Sequence, residues 1–288
     1  MALLSKKNKP SQKAYAVVTG AGSGIGRSFA LELAKRGGDV ICADIDLSSA
    51  QETVDLIQSM TSTSAYAVHC DVGLKESVHA LVEQAEQLLG HPVTLLINNA
   101  GMGMVGPVED ATQEEILQLM NLNVVGSVQM MSAVLPRMRE EKSGKIINIS
   151  SIGSEMGLPF RGFYSASKSA LDKVTEAIRY EVSAWSIDVC TLHLGDIKTK
   201  IAENRVKTKV SEPYQKTFEK IYSIMNAHVD DGTEPLEVAE YIEKLLAKKS
   251  WKAHYYFGKF GQKIGVPLKW ILPQNFYENL MRKYNQMD

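Results

Sequence analysis

A doubly wound parallel α/β sheet is the fold this sequence predicts, and three observations predict it. Short apolar runs alternate with longer stretches of helical periodicity through about the first 200 residues. A glycine-rich turn stands between the first apolar run and the first helical stretch. The 288 residues, 44% of them hydrophobic, suffice for one large core, and no linker-like stretch divides them.

The apolar runs are Ala14–Thr19, Asp39–Ala43, Ala65–Cys70, Val93–Asn98, Gly144–Ser150, Ile187–Leu194 and Ala253–Phe257, which gives seven strands. Right-handed crossovers between parallel strands make the sheet doubly wound, with ligand expected at the carboxyl ends of the strands. After Lys198 the composition changes. To about Gly232 the chain is polar and lysine-rich with no strand, and residues 200–232 are expected to form a mobile lid carrying Tyr214, Phe218 and Tyr222. Past the last run, WILPQNFYENLMRKY repeats Phe276, Leu280 and Tyr284 every four residues beside Arg282 and Lys283, an amphipathic helix. That helix could pack on its own body or on a second subunit, or lie on a membrane surface. The organisation expected is a flexible segment over 1–12, a single sheet domain over 13–258, and a helical extension over 259–288.

Composition excludes several function classes. A net charge of −1 provides no long-range attraction for nucleic acid or anionic lipid. Cys42, Cys70 and Cys190 lie far apart with no CxxC pair, so neither a disulfide framework nor a zinc site is indicated. The six histidines form no HxxxH or HExxH, leaving no sequence support for a metal, and GxSxG is absent. The apolar stretch ahead of Lys6 is too short for a signal peptide, and no window approaches eighteen uninterrupted apolar residues. A cytoplasmic protein is the expectation.

Residues 14–36 read as strand, turn and helix. Gly20, Gly22, Gly24 and Gly26, with the uncharged Ser23 among them, let the backbone turn sharply and approach a pyrophosphate. The helix opening at Ile25 points its amide dipole at the phosphates. Glycine spacing alone is weak, because the strict GxGxxG pattern occurs instead at Gly101–Gly106, where Pro107 follows and no helix opens. The second strand ends at Asp44, 18 residues after Gly26. A carboxylate there accepts hydrogen bonds from an adenosine ribose diol and repels a 2′-phosphate, which selects NAD(H) over NADP(H). Asp46 is assigned to capping the next helix.

Tyr164 and Lys168 are four apart on a helical stretch and share a face. A nearby ammonium stabilises phenolate and lowers a tyrosine's pKa toward the working pH of a proton shuttle. Ser151 ends the fifth strand, where its hydroxyl can hydrogen-bond the oxygen that Tyr164 protonates. Asn98 and Asn99 end the fourth strand on the same edge.

These residues carry a resemblance. From about residue 13 to residue 258 the chain is similar to the classical short-chain dehydrogenase/reductase family. TGAGSGIG (Thr19–Gly26), CDV (Cys70–Val72), NNAG (Asn98–Gly101), NxxG (Asn123–Gly126), Ser151 and YSASK (Tyr164–Lys168) occur in family order. The resemblance implies a Rossmann-type sheet and a catalytic tetrad of Asn123, Ser151, Tyr164 and Lys168. It places Asp71 at the adenine, and Val72, Asn98 and Ala100 among the cofactor contacts. Lys168 would also bind the nicotinamide ribose. Where the family usually has Pro-Gly after its sixth strand, this chain has Leu194-Gly195. Gly195, Ile197 and Thr199 still fit a nicotinamide-carboxamide contact, with the loop expected to be looser for want of proline's fixed φ.

The activity expected is hydride transfer between a secondary alcohol and its ketone. Met102, Met104, Met156 and Phe160, with Val105, Leu158, Pro159 and Phe163, are candidates to face the substrate, or else to pack core. MGLPF (Met156–Phe160) is similar to the steroid- and retinol-handling branch of the family, which implies a bulky apolar substrate: steroid, retinoid or lipid-like. The stretches Thr112–Arg137 and Tyr164–Ala184 resemble the helices that build family dimers, so a homodimer or homotetramer is expected. An NADPH-dependent carbonyl reductase, a non-catalytic NAD(H)-binding sensor and a lipid-surface scaffold are the rival readings.

Overall fold

In the computed structural model, residues 13–199 and 205–287 are described; the segment 1–12 and the first part of the expected lid, 200–204, lie outside them. Seven strands form one parallel sheet: β1 (Tyr15–Thr19), β2 (Asp39–Asp44), β3 (Ala65–His69), β4 (Leu95–Asn98), β6 (Gly144–Ser151), β7 (Ile187–Leu194) and β9 (His254–Phe257). Their order is β3-β2-β1-β4-β6-β7-β9. The chain therefore runs outward one way from β1 and then returns to run outward the other way from β4. The crevice where the direction reverses lies between the carboxyl ends of β1 and β4.

Strand residues alternate between two cores. Ala16 and Val18 of β1 face a cluster shared with α1 (Gly24–Lys35), α2 (Leu47–Met60) and α8 (Pro235–Leu246). Val17 faces the opposite cluster, formed with α3 (Lys75–Leu89) and α5 (Ser127–Glu140), on which α6 (Gly162–Glu181) also packs. Burial on both faces is why these strands are unbroken apolar runs. Cys42, Cys70 and Cys190 are all buried and unpaired.

Three expectations are corrected. The stretch 112–137 is not one regular helix. Thr112 caps α4 (Gln113–Met120) in a reciprocal box with Glu115, and a π-helical turn, Asn121–Gly126, then separates α4 from α5. The resulting run Gln113–Glu140 is long and apolar enough to pass for a membrane span, but Met130, Met131, Val134, Leu135 and Met138 bury it on the sheet.

The polar segment contains a strand after all: β8 (Val206–Lys207) pairs in parallel with β5 (Met104–Val105). It leads to α7 (Gln215–Asp230), where Phe218 and Met225 are buried against Val105 with Phe160 and Tyr222 beside them. The described part of the expected lid is thus a docked helix.

The extension is two helices, α9 (Phe260–Ile271) and α10 (Gln274–Tyr284), because Pro273 forces Leu272 extended (ψ 147°) and ends the first. Val266 and Tyr277 are its buried apolar residues among those described, while Phe276 is exposed.

The loop after β7 is held on both sides. Gly195 N–H donates to the Phe257 carbonyl (2.8 Å), Lys198 N–H to Thr233 (2.9 Å), and Thr233 N–H returns a bond to Asp196 (3.0 Å). These bonds tie the loop to β9 and to the turn before α8 without the proline's fixed φ.

Candidate active site

The glycine loop leaves β1 with Gly20 at φ +65° and Gly24 at φ +53°, backbone that only glycine adopts without strain. Gly26, in the first turn of α1, lies so close to the loop that a Cβ would sit 2.1 Å from the Gly20 carbonyl oxygen. Asp44 Oδ2 accepts the Gly22 N–H (2.8 Å) and Oδ1 accepts the Asp46 N–H (3.0 Å), so the carboxylate ties the loop to the end of β2. Asp46 caps α2 through the amides and hydroxyls of Ser48 and Ser49, which hold its carboxyl down at about 2. Sequence adjacency misses a cation here. Arg27 folds back to donate to the Gly22 carbonyl and ion-pairs with Glu52 (2.9 Å).

Ala100 N–H donates to Thr19 Oγ1 (3.0 Å), which brings the turn after β4 against the glycine loop. The two asparagines ending β4 part company. Asn99 lines the cleft and donates to the Thr19 and Gly20 carbonyls (2.9 and 3.2 Å). Asn98, expected at the cofactor, instead points into the interior. Only 3% exposed, it donates to Asn148 Oδ1 (2.8 Å) and the Ser127 carbonyl (3.1 Å). Asp71 Oδ1 accepts the Gly73 N–H (2.8 Å), and Val72 is packed under Gly126. Ile25, Gly195, Ile197 and Thr199 all line the cleft, and Thr199 faces Gly24 across it, 3.5 Å from where a Cβ would stand.

Ser151, Tyr164 and Lys168 share one cavity of about 520 Å³ with the nicotinamide-end loop. Ser151 is the last residue of β6; its Oγ accepts the Gly153 N–H (3.0 Å) and lies within hydrogen-bonding reach of the Tyr164 phenol. Lys168, one turn on along α6, donates from Nζ to the Ile149 carbonyl (2.9 Å). Asn123 sits in the π-helical turn, fully buried. Its Oδ1 accepts the Met102 N–H (2.8 Å), and its Nδ2 donates to Met102 O and Ser167 Oγ (both 3.0 Å). A Cβ on Gly101 would lie 3.0 Å from Asn123 Oδ1 and 3.5 Å from Lys168 Nζ, so the two flank that glycine.

The electrostatics differ from the sequence expectation. Burial raises the Tyr164 phenol above its ordinary value. The groups that pull it down are the Ser151 hydroxyl and the guanidiniums of Arg161 and Arg205, not Lys168. Burial also draws the Lys168 ammonium down to about 8, with Asp172 opposing.

Behind Ser151 lies a buried polar chain that the sequence does not announce. His193 Nδ1 lies 3.0 Å from Ser154 Oγ, with Asp172 Oδ2 at 3.8 Å and Glu155 Oε1 at 3.9 Å. Glu155, Asp172 and His193 are 17 or more positions apart, so no spacing motif could signal them.

Of the candidate substrate residues, Met102, Met104 and Met156 line the cavity. Phe160 does not. It takes φ +56° and stacks edge-on against Tyr214 and Phe218, which makes it the seat of α7. The wall opposite the sheet comes from the extension, with Leu268, Tyr277, Leu280 and Met281 among its residues.

The family model for short chain dehydrogenase matches residues 14–210. The chain belongs to that family. It is 35% identical, over 92% of its length and 96% of the relative's, to 3-ketodihydrosphingosine reductase of Bacteroides thetaiotaomicron. A short chain dehydrogenase/reductase from Burkholderia phymatum, solved in complex with NAD, is 25% identical with a TM-score of 0.77 and covers 85% of this chain and 90% of its own. A short-chain dehydrogenase from Streptomyces avermitilis shares the fold at TM-score 0.80 and 24% identity, over 96% of this chain and 100% of its own. Membership makes the chain an oxidoreductase that works with a nicotinamide nucleotide, and its own residues fit one. The cradle formed by Gly20, Gly22 and Gly26 at the start of α1 leaves no room for a Cβ and offers backbone amides to a pyrophosphate.

Proposed function

We propose that the protein interconverts a secondary alcohol and its ketone with NAD(H), on a bulky and largely apolar substrate of steroid, retinoid or other lipid-like kind. The observation that carries this reading is the convergence of Ser151, Tyr164 and Lys168 on a cavity walled by methionines and by the apolar faces of α9 and α10. The bound nicotinamide would supply or accept the hydride; the chain orients and moves the proton. Ser151 Oγ holds the substrate oxygen, Tyr164 exchanges a proton with it, and Lys168 anchors that end of α6 to β6 through Ile149. Asn123 braces the Met102 turn against α6. The likeness to a 3-ketodihydrosphingosine reductase supports a long-chain ketone as the substrate class.

Arg27 favours one alternative, an NADPH-dependent carbonyl reductase, because it stands at the glycine loop beside Asp44. NAD(H) is preferred here because Arg27 is already spent on Glu52, Thr53 and the Gly22 carbonyl, while Asp44 keeps a carboxylate at the ribose position. Fluorescence titration should show NADH binding at least tenfold tighter than NADPH, with the preference shrinking in Asp44→Asn. Tighter NADPH binding by the wild type would reject the assignment.

The protein is further proposed to be a cytoplasmic homodimer or homotetramer built on α4 and α6, where Leu117 and Tyr180 are 57% and 78% exposed. Light scattering should then give two or four times the 31.8 kDa chain mass, and Tyr180→Glu should lower it. A monomer in the wild type would refute this.

A further inference from the structure

We infer that the cavity is built to hold an anionic group of the substrate, a carboxylate or a phosphate, between Arg161 and Arg205 beside Tyr164. This rests on the oxidoreductase reading above and narrows its substrate to an amphiphile with an acidic head.

Both arginines line the same cavity as the catalytic tyrosine. Arg161 caps the start of α6, three residues before Tyr164. Among the described residues its guanidinium makes no hydrogen bond and no ion pair, and its Nε is sealed from solvent without an acceptor. Arg205 enters on the strand pairing of β8, where the Val206 N–H donates to the Gly103 carbonyl. One of its nitrogens donates to Asn226 Oδ1 (2.9 Å), a neutral partner. Among the described residues, the acid whose charge acts on both is Asp196, but its Oδ2 takes the Gln262 amide and it forms no ion pair with either arginine.

Two guanidiniums lining one cavity of low polarity are costly when unpaired. Burial and mutual repulsion lower the Arg205 pKa, and burial lowers that of Arg161. A planar fork of donors matches a carboxylate or phosphate bidentately, and two forks can share one anion. An anion there would relieve both charges at once.

The cofactor does not account for them. Its pyrophosphate belongs at the N-terminus of α1, whereas Arg161 and Arg205 stand on the substrate side, with Met102, Met156 and Leu158. Because both cations line the cavity together with Tyr164, the acidic group is placed on the side of the reacting carbon, with the apolar chain running out toward Leu268, Leu280 and Met281.

The test is calorimetric titration of the full chain, saturated with NADH, with laurate, dodecyl phosphate, dodecanol and dodecylamine. At least one anion should bind tenfold or more tightly than dodecanol and dodecylamine, as expected for hydrogen bonds to a charged group. Preference for laurate identifies a carboxylate, and preference for dodecyl phosphate a phosphate. Arg161→Met and Arg205→Met should each cut the anion's advantage about tenfold, and Arg161→Lys should cut it less. Equal binding of the four, preference for the amine, no binding of any, or an anion advantage unchanged in both methionine variants would overturn the inference. Failure of the wild type to bind NADH or NADPH would instead count against the oxidoreductase reading. The same four ligands on the cofactor-free chain would then still report on the arginine pair.

Discussion

Tyr164→Phe is expected to lower turnover by roughly 10²- to 10⁴-fold, the range that general acid–base catalysis contributes, while NADH binding changes only a few-fold. The phenyl ring keeps the packing, so what is removed is one proton-bearing oxygen. No neighbour can replace it. Lys168 Nζ is committed to the Ile149 carbonyl at 2.9 Å, and Ser151 Oγ already accepts from Gly153.

The direction of the Tyr164 shift gives this prediction a pH dependence. Burial raises the phenol above the ordinary tyrosine value of 10.0. Tyr164 therefore stays protonated across the neutral range, ready to donate during ketone reduction, and alcohol oxidation, which needs phenolate, should climb as pH rises. The sign for stability follows from linkage. The unfolded chain ionises this tyrosine near its ordinary value while the folded chain holds the proton, so the contribution is intact below about pH 10 and is lost as pH rises further. Tyrosinate absorbance of wild type minus Tyr164→Phe should show no ionisation below that pH in the cofactor-free protein. Near-normal turnover in the variant would remove Tyr164 from the acid/base role.

The strands were legible because a parallel sheet covered on both faces demands unbroken apolar runs, and all seven fall within two residues of where those runs lie. The small pairing of Met104–Val105 with Val206–Lys207 was not, since two residues carry no period and each strand exists only because the other is there. The π-helical turn at Asn121–Gly126 is likewise invisible to a 3.6-residue pattern, yet it is what buries Asn123 against Met102 and Ser167.

Asn98 was placed on the wrong side of the ligand edge, although a signal existed. Asn98 and Asn148 stand in register on neighbouring strands, which lets the Asn98 amide donate to Asn148 Oδ1 inside the core. Arg161 and Arg205 had none. Single arginines in polar stretches look like solvated surface, and only the fold shows that both lie in one cavity. The extension illustrates the same limit. Its amphipathic repeat was read from Phe276, Leu280 and Tyr284, but Pro273 resets the helix so that Tyr277 is buried, its hydroxyl 3.2 Å from Met156 Sδ.

Gly26→Ala should abolish measurable NADH binding and lower stability, although alanine is the better helix former by about 1 kcal/mol. The added methyl would lie 2.1 Å from the Gly20 carbonyl oxygen, 2.5 Å from Asn99 Nδ2 and 2.7 Å from the Gly20 carbonyl carbon. Two of these three neighbours are backbone, so no rotamer change relieves the clash. Either α1 must back away from the sheet or the Gly20–Gly22 turn must open. The first breaks the packing of Phe29 and Ala30 in the core, and the second pulls Gly22 off the Asp44 carboxylate. Overpacking of this kind typically costs about 1–3 kcal/mol, which exceeds the propensity gain. Both escapes also move the α1 N-terminus away from where a pyrophosphate would rest. Gly157→Ala is the matched control, since a Cβ there meets nothing within 4 Å and the backbone is not in a glycine-only region. Melting curves and NADH titration of the two variants side by side decide the matter. If Gly26→Ala binds NADH as tightly as Gly157→Ala does, the glycine loop is not the phosphate cradle, and the site must be sought elsewhere along the strand ends.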